Sequence, residues 1–123
     1  MDRIYGIKRG TLESIVIAAR NVYPQEFFSM LGGKNKTIEE LVVIPAVFGD
    51  DFASYSLEHV PIDRSIIGTV HSHPSQYSHP SDADLESFGK FGEVHLIIAH
   101  PYDFNTIRAF DNKGKKIILK VVE

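Results

Sequence analysis

Two histidines and an aspartate stand close together in the run His71-Ser72-His73-Pro74-Ser75-Gln76-Tyr77-Ser78-His79-Pro80-Ser81-Asp82-Ala83-Asp84. Imidazole nitrogens and a carboxylate oxygen can bind a divalent metal. Three protein ligands leave a position for water, which is the pattern of a catalytic zinc site, whereas structural zinc sites are closed by four. His71 and His73 directly follow Ile66-Ile67-Gly68-Thr69-Val70, an apolar run that reads as a buried strand. Side chains at i and i+2 of a strand share a face, so the two imidazoles leave the strand end side by side. Pro74 stops the strand. Ser81-x-x-Asp84 then opens a short helix and supplies the carboxylate.

Each of these residues also has a plainer reading. Ser81 at an N-cap with an acid three residues on makes a capping box. That box prefers the longer Glu or Gln, so Asp84 is better accounted for as a ligand, although it also suits the positive end of the helix dipole. Ser81 can serve both as cap and as a donor in the site. His79, between Ser78 and Pro80, competes with Asp84 as third ligand. His59, His95 and His100 read as structural or surface residues, His95 as a hydrogen-bonded histidine in an apolar strand.

The elements that must position this group are a mixture of strands and helices. Ile4–Lys8 reads as a first strand. Residues 11–22 form the best helix, with Thr11 as its cap and Leu12, Ile15, Val16, Ala19 and Val22 at helical spacing; Pro24 ends it. Glu26–Leu31 reads as a strand closed by Gly32-Gly33. Glu40–Val47, Ser54–Val60 and Ile66–Ser72 read as further strands, residues 82–89 as a helix with Leu85 and Phe88 inward, and Glu93–Ala99 as a buried strand. Thr106–Asp111 and Lys115–Val121 flank Asn112-Lys113-Gly114, a turn signal, and make a terminal hairpin. The sum is an α+β or mixed α/β layer fold, a central mostly antiparallel or mixed sheet flanked by about two helices.

Composition bounds the rest. The 123 residues suit one domain, 1–123, with a single core. A net charge of −3 gives no support for nucleic-acid binding. The absence of cysteine excludes disulfides, thiol nucleophiles, Cys-ligated zinc and iron–sulfur clusters. Met1-Asp2-Arg3-Ile4 does not read as a signal peptide. The longest apolar stretch, Leu41 to Phe48, is broken by Pro45 and too short for a bilayer. No membrane association is expected, and the expected location is the cytoplasm.

The chemical residues also carry a family resemblance. His71-Ser72-His73-Pro74, six residues and Ser81-x-x-Asp84 resemble the JAMM (MPN+) metalloprotease motif, H-x-H-P-x6-S-x-x-D. The likeness extends from the first strand to the C-terminal hairpin and is greatest to short archaeal-type members. It implies a JAMM/MPN domain with a cytidine-deaminase-like fold, one Zn2+ per chain held by His71, His73 and Asp84, and a glutamate after the first helix as general base. In Tyr23-Pro24-Gln25-Glu26-Phe27-Phe28 that glutamate is Glu26. The residues alone would not have singled it out among the acids. Ser81 resembles the family serine that stabilises the tetrahedral oxyanion, and it could equally support a ligand by hydrogen bonding.

Other HxH proteins fit less well. The chain is too short for an eight-fold α/β barrel. A cupin has no place for the helix at 11–22. Ser-x-x-Asp spacing is unlike that of non-haem iron oxygenases. A non-catalytic zinc-binding MPN interaction module is the main non-enzyme alternative. As an enzyme, the resemblance implies an isopeptidase or peptidase cleaving after the C-terminal Gly of ubiquitin-like modifiers, or a processing protease for sulfur-carrier C-termini. The expected partner is the extended tail of a ubiquitin-like protein or conjugate, adding alongside the sheet through main-chain bonds. The oligomeric state is left open.

Overall fold

A computed structural model describes residues 3–42, 65–75, 79–90 and 92–123. The expected strand Ser54–Val60 and the part of Glu40–Val47 beyond Val42 lie outside the described residues, as does His59. The described elements run β1 (Ile4–Lys8), α1 (Arg9–Val22), β2 (Phe28–Lys34), β3 (Thr37–Val42), β4 (Ile66–His73), α2 (Asp82–Phe88), β5 (Val94–Ala99), a 3-10 turn (Phe104–Thr106), β6 (Ile107–Phe110) and β7 (Lys116–Val122). The fold is mixed α+β, with two helices and a mixed sheet.

The strand order is β1-β3-β2-β4-β5-β6-β7, and β1 pairs with both β3 and β7, which closes the sheet on itself. The pairs β2–β3, β2–β4, β5–β6 and β6–β7 are antiparallel, while β1–β3, β1–β7 and β4–β5 are parallel. β4 therefore has neighbours on both sides.

Helix α1 buries Thr11, Leu12, Ile15, Val16 and Ala19 and packs against β1, β3, β4 and β7. These apolar positions fall at i, i+3, i+4 and i+7, one stripe of a 3.6-residue helix. Thr11 is not the cap. β1 runs straight into α1 with Lys8 at the N-cap, and the Thr11 hydroxyl instead donates to the Glu39 carbonyl at 2.6 Å. Nor does Gly32-Gly33 close β2. The strand continues through both glycines to Lys34, with register shifts there, and turns at Asn35-Lys36, where both residues have positive φ (53° and 57°). A side chain at Gly33 would overlap the Thr37 carbonyl, so the glycine permits the close approach of β3 rather than ending the strand.

Every residue of β5 is buried. Val94, Leu96 and Ile98 join the core around α1, whereas Ile97 packs with Phe88 of α2 and with Phe110. Alternation thus gives the sheet two covered faces, which explains the near-continuous apolar sequence of this strand. In β4 Val70 lies on the α1 side. Thr69, His71 and His73, pointing the other way, belong to the side covered by α2.

Candidate metal centre

The histidines reach the site because β4 ends there. His71 is 1% exposed and His73 lies at the rim. Their Nε2 atoms stand 3.0 Å apart. Asp84, in the first turn of α2, completes the group: its Oδ1 is 3.2 Å from His71 Nε2 and its Oδ2 is 3.2 Å from His73 Nε2. The ligand atoms of the three residues all lie within 4.8 Å of one another. Donor atoms at tetrahedral zinc distances would be separated by about 3.4 Å, so one nitrogen from each imidazole and one carboxylate oxygen fit around a single ion of that kind.

Asp84 does more than the sequence reading gave it. The capping box is complete despite the short side chain: Asp84 N donates to Ser81 Oγ at 3.1 Å, and Ser81 N donates to Asp84 Oδ2 at 2.9 Å. The ligand and cap readings are therefore compatible, since one oxygen receives the Ser81 amide while the other faces His71. Burial alone would raise the pKa of this carboxyl. The bonds from His71 and His73, helped by the Ser81 amide, outweigh burial and hold it well below the ordinary carboxylate range. The anion is thus the form poised here.

The segment that follows Glu26 is held against β4. Phe28 is opposite His71 in the β2–β4 ladder. Beyond it the Phe27 amide donates to Ser72 Oγ at 2.7 Å, and the Ser72 amide donates to the Phe27 carbonyl at 2.9 Å. Glu26 itself is exposed and directly precedes Phe27 in the chain. Ser72, between the two histidines, is fully buried and clamps the segment that carries Glu26. No motif in the sequence singles Ser72 out. Its signal was a hydroxyl on the core-facing side of a buried strand, where a polar group needs a partner.

Ser81 sits exposed at the N-cap of α2. Capping uses a lone pair of its oxygen and not its proton, so the hydroxyl can still donate. His79 is exposed and is not part of the His71–His73–Asp84 group. His100 is half-buried. Its amide donates to the Ser75 carbonyl at 2.9 Å, and its ring lies 5.2 Å from Tyr23 and 5.5 Å from Tyr102 between centroids. His95 is fully buried with both ring nitrogens bonded, to Thr69 and Asn112. Among the described residues, no helix is long and apolar enough to cross a membrane.

Comparison with known proteins gives a consistent picture. Residues 8–113 match the family described as prokaryotic homologs of the JAB domain. A protein of Haloferax volcanii described as a probable metalloprotease is 31% identical over 131 residues, covering 98% of this chain and 81% of its own. A JAB1/MPN domain protein from Archaeoglobus fulgidus superposes with a TM-score of 0.79 at 39% identity, over 96% of this chain and 99% of that one. A structure described as a JAMM metalloprotease-like zinc site in the proteasome and signalosome superposes with a TM-score of 0.78 at 35% identity, over 98% and 99% of the two chains.

Proposed function

This chain belongs to the JAB domain family, and from that membership we propose that it is a single-domain, zinc-dependent peptidase in which His71, His73 and Asp84 hold one zinc ion. The observation that carries this reading is the convergence of His71 Nε2, His73 Nε2 and the Asp84 carboxylate at separations of 3.0–3.2 Å. The description of the Haloferax volcanii relative as a probable metalloprotease supports it, as does the metalloprotease-like zinc site of a solved relative.

Bound there, zinc supplies Lewis acidity to the attacking water and to the scissile carbonyl. The residues of the chain do the rest. Glu26 adjoins Phe27, which is bonded to Ser72 between the two histidines, and is outside the ligand group. A carboxylate so placed takes a proton from the attacking water and passes it to the leaving amine. The Ser81 hydroxyl, held at the N-cap of α2, donates to the oxyanion as the carbonyl carbon becomes tetrahedral. Asp84, bound to the Ser81 amide, keeps that serine in register with the ligands.

The proposed substrate is the extended C-terminal tail of a ubiquitin-like modifier or its conjugate, cleaved after glycine. With β4 paired on both sides, the tail approaches across the C-terminal ends of β4 and β5. Glycines beside the scissile bond let the backbone come close to the ligands, where side chains would collide with the strand ends. The test is cleavage of ubiquitin-like conjugates bearing Gly-Gly or Val-Val at the junction, with and without chelator. Chelator-sensitive cutting of the Gly-Gly conjugate alone is expected. Equal cutting of both, or zinc-dependent cutting of unrelated peptides at comparable rates, would overturn the specificity.

A further inference from the structure

Behind the candidate ligands lies a buried polar group that none of the chemistry above uses. His95, on β5, is fully buried. Its Nε2 is 2.7 Å from Asn112 Oδ1 and its Nδ1 is 2.8 Å from Thr69 Oγ1. A carboxamide oxygen only accepts, so the proton is on Nε2, and Nδ1 accepts from the threonine hydroxyl. Burial pushes the ring down to about 4, which keeps it neutral and preserves this arrangement. The ring stacks face to face on Phe88, with centroids 4.2 Å apart and planes 3° from parallel.

Two of the three neighbours of His95, Phe88 and Thr69, lead to the candidate ligands. Phe88 is the last residue of α2 and lies four after Asp84, hence on the same helix face; Asp84, Ser87 and Phe88 are the buried residues of that helix. Phe88 also approaches His71, with ring centroids 6.4 Å apart. Thr69 precedes His71 by two residues on the same face of β4 and is paired with His95 in register. Asn112, in turn, belongs to the β6–β7 turn, which presses on α2 from outside: a side chain built at Gly114 (φ +83°) would collide with Leu85. The turn is itself braced, since Asp111 Oδ1 accepts from the Lys113 and Lys115 amides at 2.8 and 2.9 Å, and Asp111 Oδ2 pairs with Arg3 at 2.6 Å.

We infer that His95 is a positioning residue for the metal site. Anchored by Asn112 of the terminal turn, it fixes α2 through Phe88, and so sets where the Asp84 carboxylate stands relative to His71 and His73. α2 has only seven residues, and among the described residues its apolar packing is that of Phe88 and Leu85 with Ile97 and Phe110. An isolated helix of that length is not stable, so the placement of its carboxylate has to come from what it packs on. The inference rests on the zinc reading of the triad.

The test is zinc affinity, measured by competition with a chromophoric chelator, together with the visible spectrum of the cobalt(II)-substituted protein. His95→Ala should weaken zinc binding about tenfold to a hundredfold, the range for groups that orient metal ligands, and should alter the cobalt spectrum. Asn112→Ala, at an exposed position that threatens folding little, should weaken zinc by a smaller factor. Because Asn112 acts through His95, the double variant should bind no more weakly than His95→Ala alone. Folded variants with lowered Tm but wild-type zinc affinity and an unchanged cobalt spectrum would reduce His95 to a core residue and overturn the inference. So would multiplicative losses in the double variant. Failure of the unaltered protein to bind zinc would instead overturn the metal reading itself.

Discussion

The two faces of β4 and β5 are built on opposite terms. On one, Val70, Leu96 and Ile98 meet Ile15, Val16 and Ala19 of the fourteen-residue α1. On the other, Thr69, His71, His73 and His95 meet α2, half as long, whose buried residues include Asp84 and Ser87. The first face is mainly close-packed hydrocarbon, with the hydroxyls of Thr11 and Ser72 bonded, and its stability scales with buried apolar area. The second holds polar groups whose burial is tolerable only because they are bonded to one another or can hold an ion. A single strand serves both because its side chains alternate. One side makes the sheet rigid, and the other presents donor atoms on that rigid support.

That contrast can be broken most severely at Glu26. Glu26→Gln should lower turnover by about 10²–10⁴-fold while zinc content stays at the wild-type level, since this carboxylate lies outside the ligand group. Near-normal turnover removes Glu26 from the mechanism, and lost zinc makes it a ligand. On the other face, Ile15→Ala should cost about 2–5 kcal/mol of stability. Chemical denaturation measures that loss, and the zinc affinity of the folded protein should not move. If affinity falls in parallel, the two faces are not separable. The smallest effect on stability is expected at Ser81. Ser81→Ala removes the cap of α2, worth about 1 kcal/mol, and should lower kcat more than it raises KM. A stability loss with unchanged kcat would leave Ser81 as a cap only.

The candidate site was legible to the degree that it is local. His71, His73, Ser81 and Asp84 fall within one short run, and strand and helix periods suffice to put them near each other. Glu26 is different. Its neighbours Phe27 and Phe28 are tied to Ser72 and His71 by the β2–β4 pairing, which no periodicity encodes, and only a family resemblance pointed to Glu26. Elements with one clear period, such as Ile4–Lys8 and the terminal hairpin, read correctly. The errors came where a tertiary partner overrode a local signal. Thr11 bonds to Glu39 rather than capping, and Gly32-Gly33 admits β3 rather than ending β2. The closure of the sheet, which leaves no edge beside β4, depends on pairings far apart in sequence.

The central claim is that His71, His73 and Asp84 hold the metal. It is tested most directly by metal analysis of the purified protein beside Asp84→Ala and His79→Ala. One zinc per chain is expected in the unaltered protein and in His79→Ala, and close to none in Asp84→Ala. A site emptied by losing His79 but still filled after losing Asp84 would contradict the account.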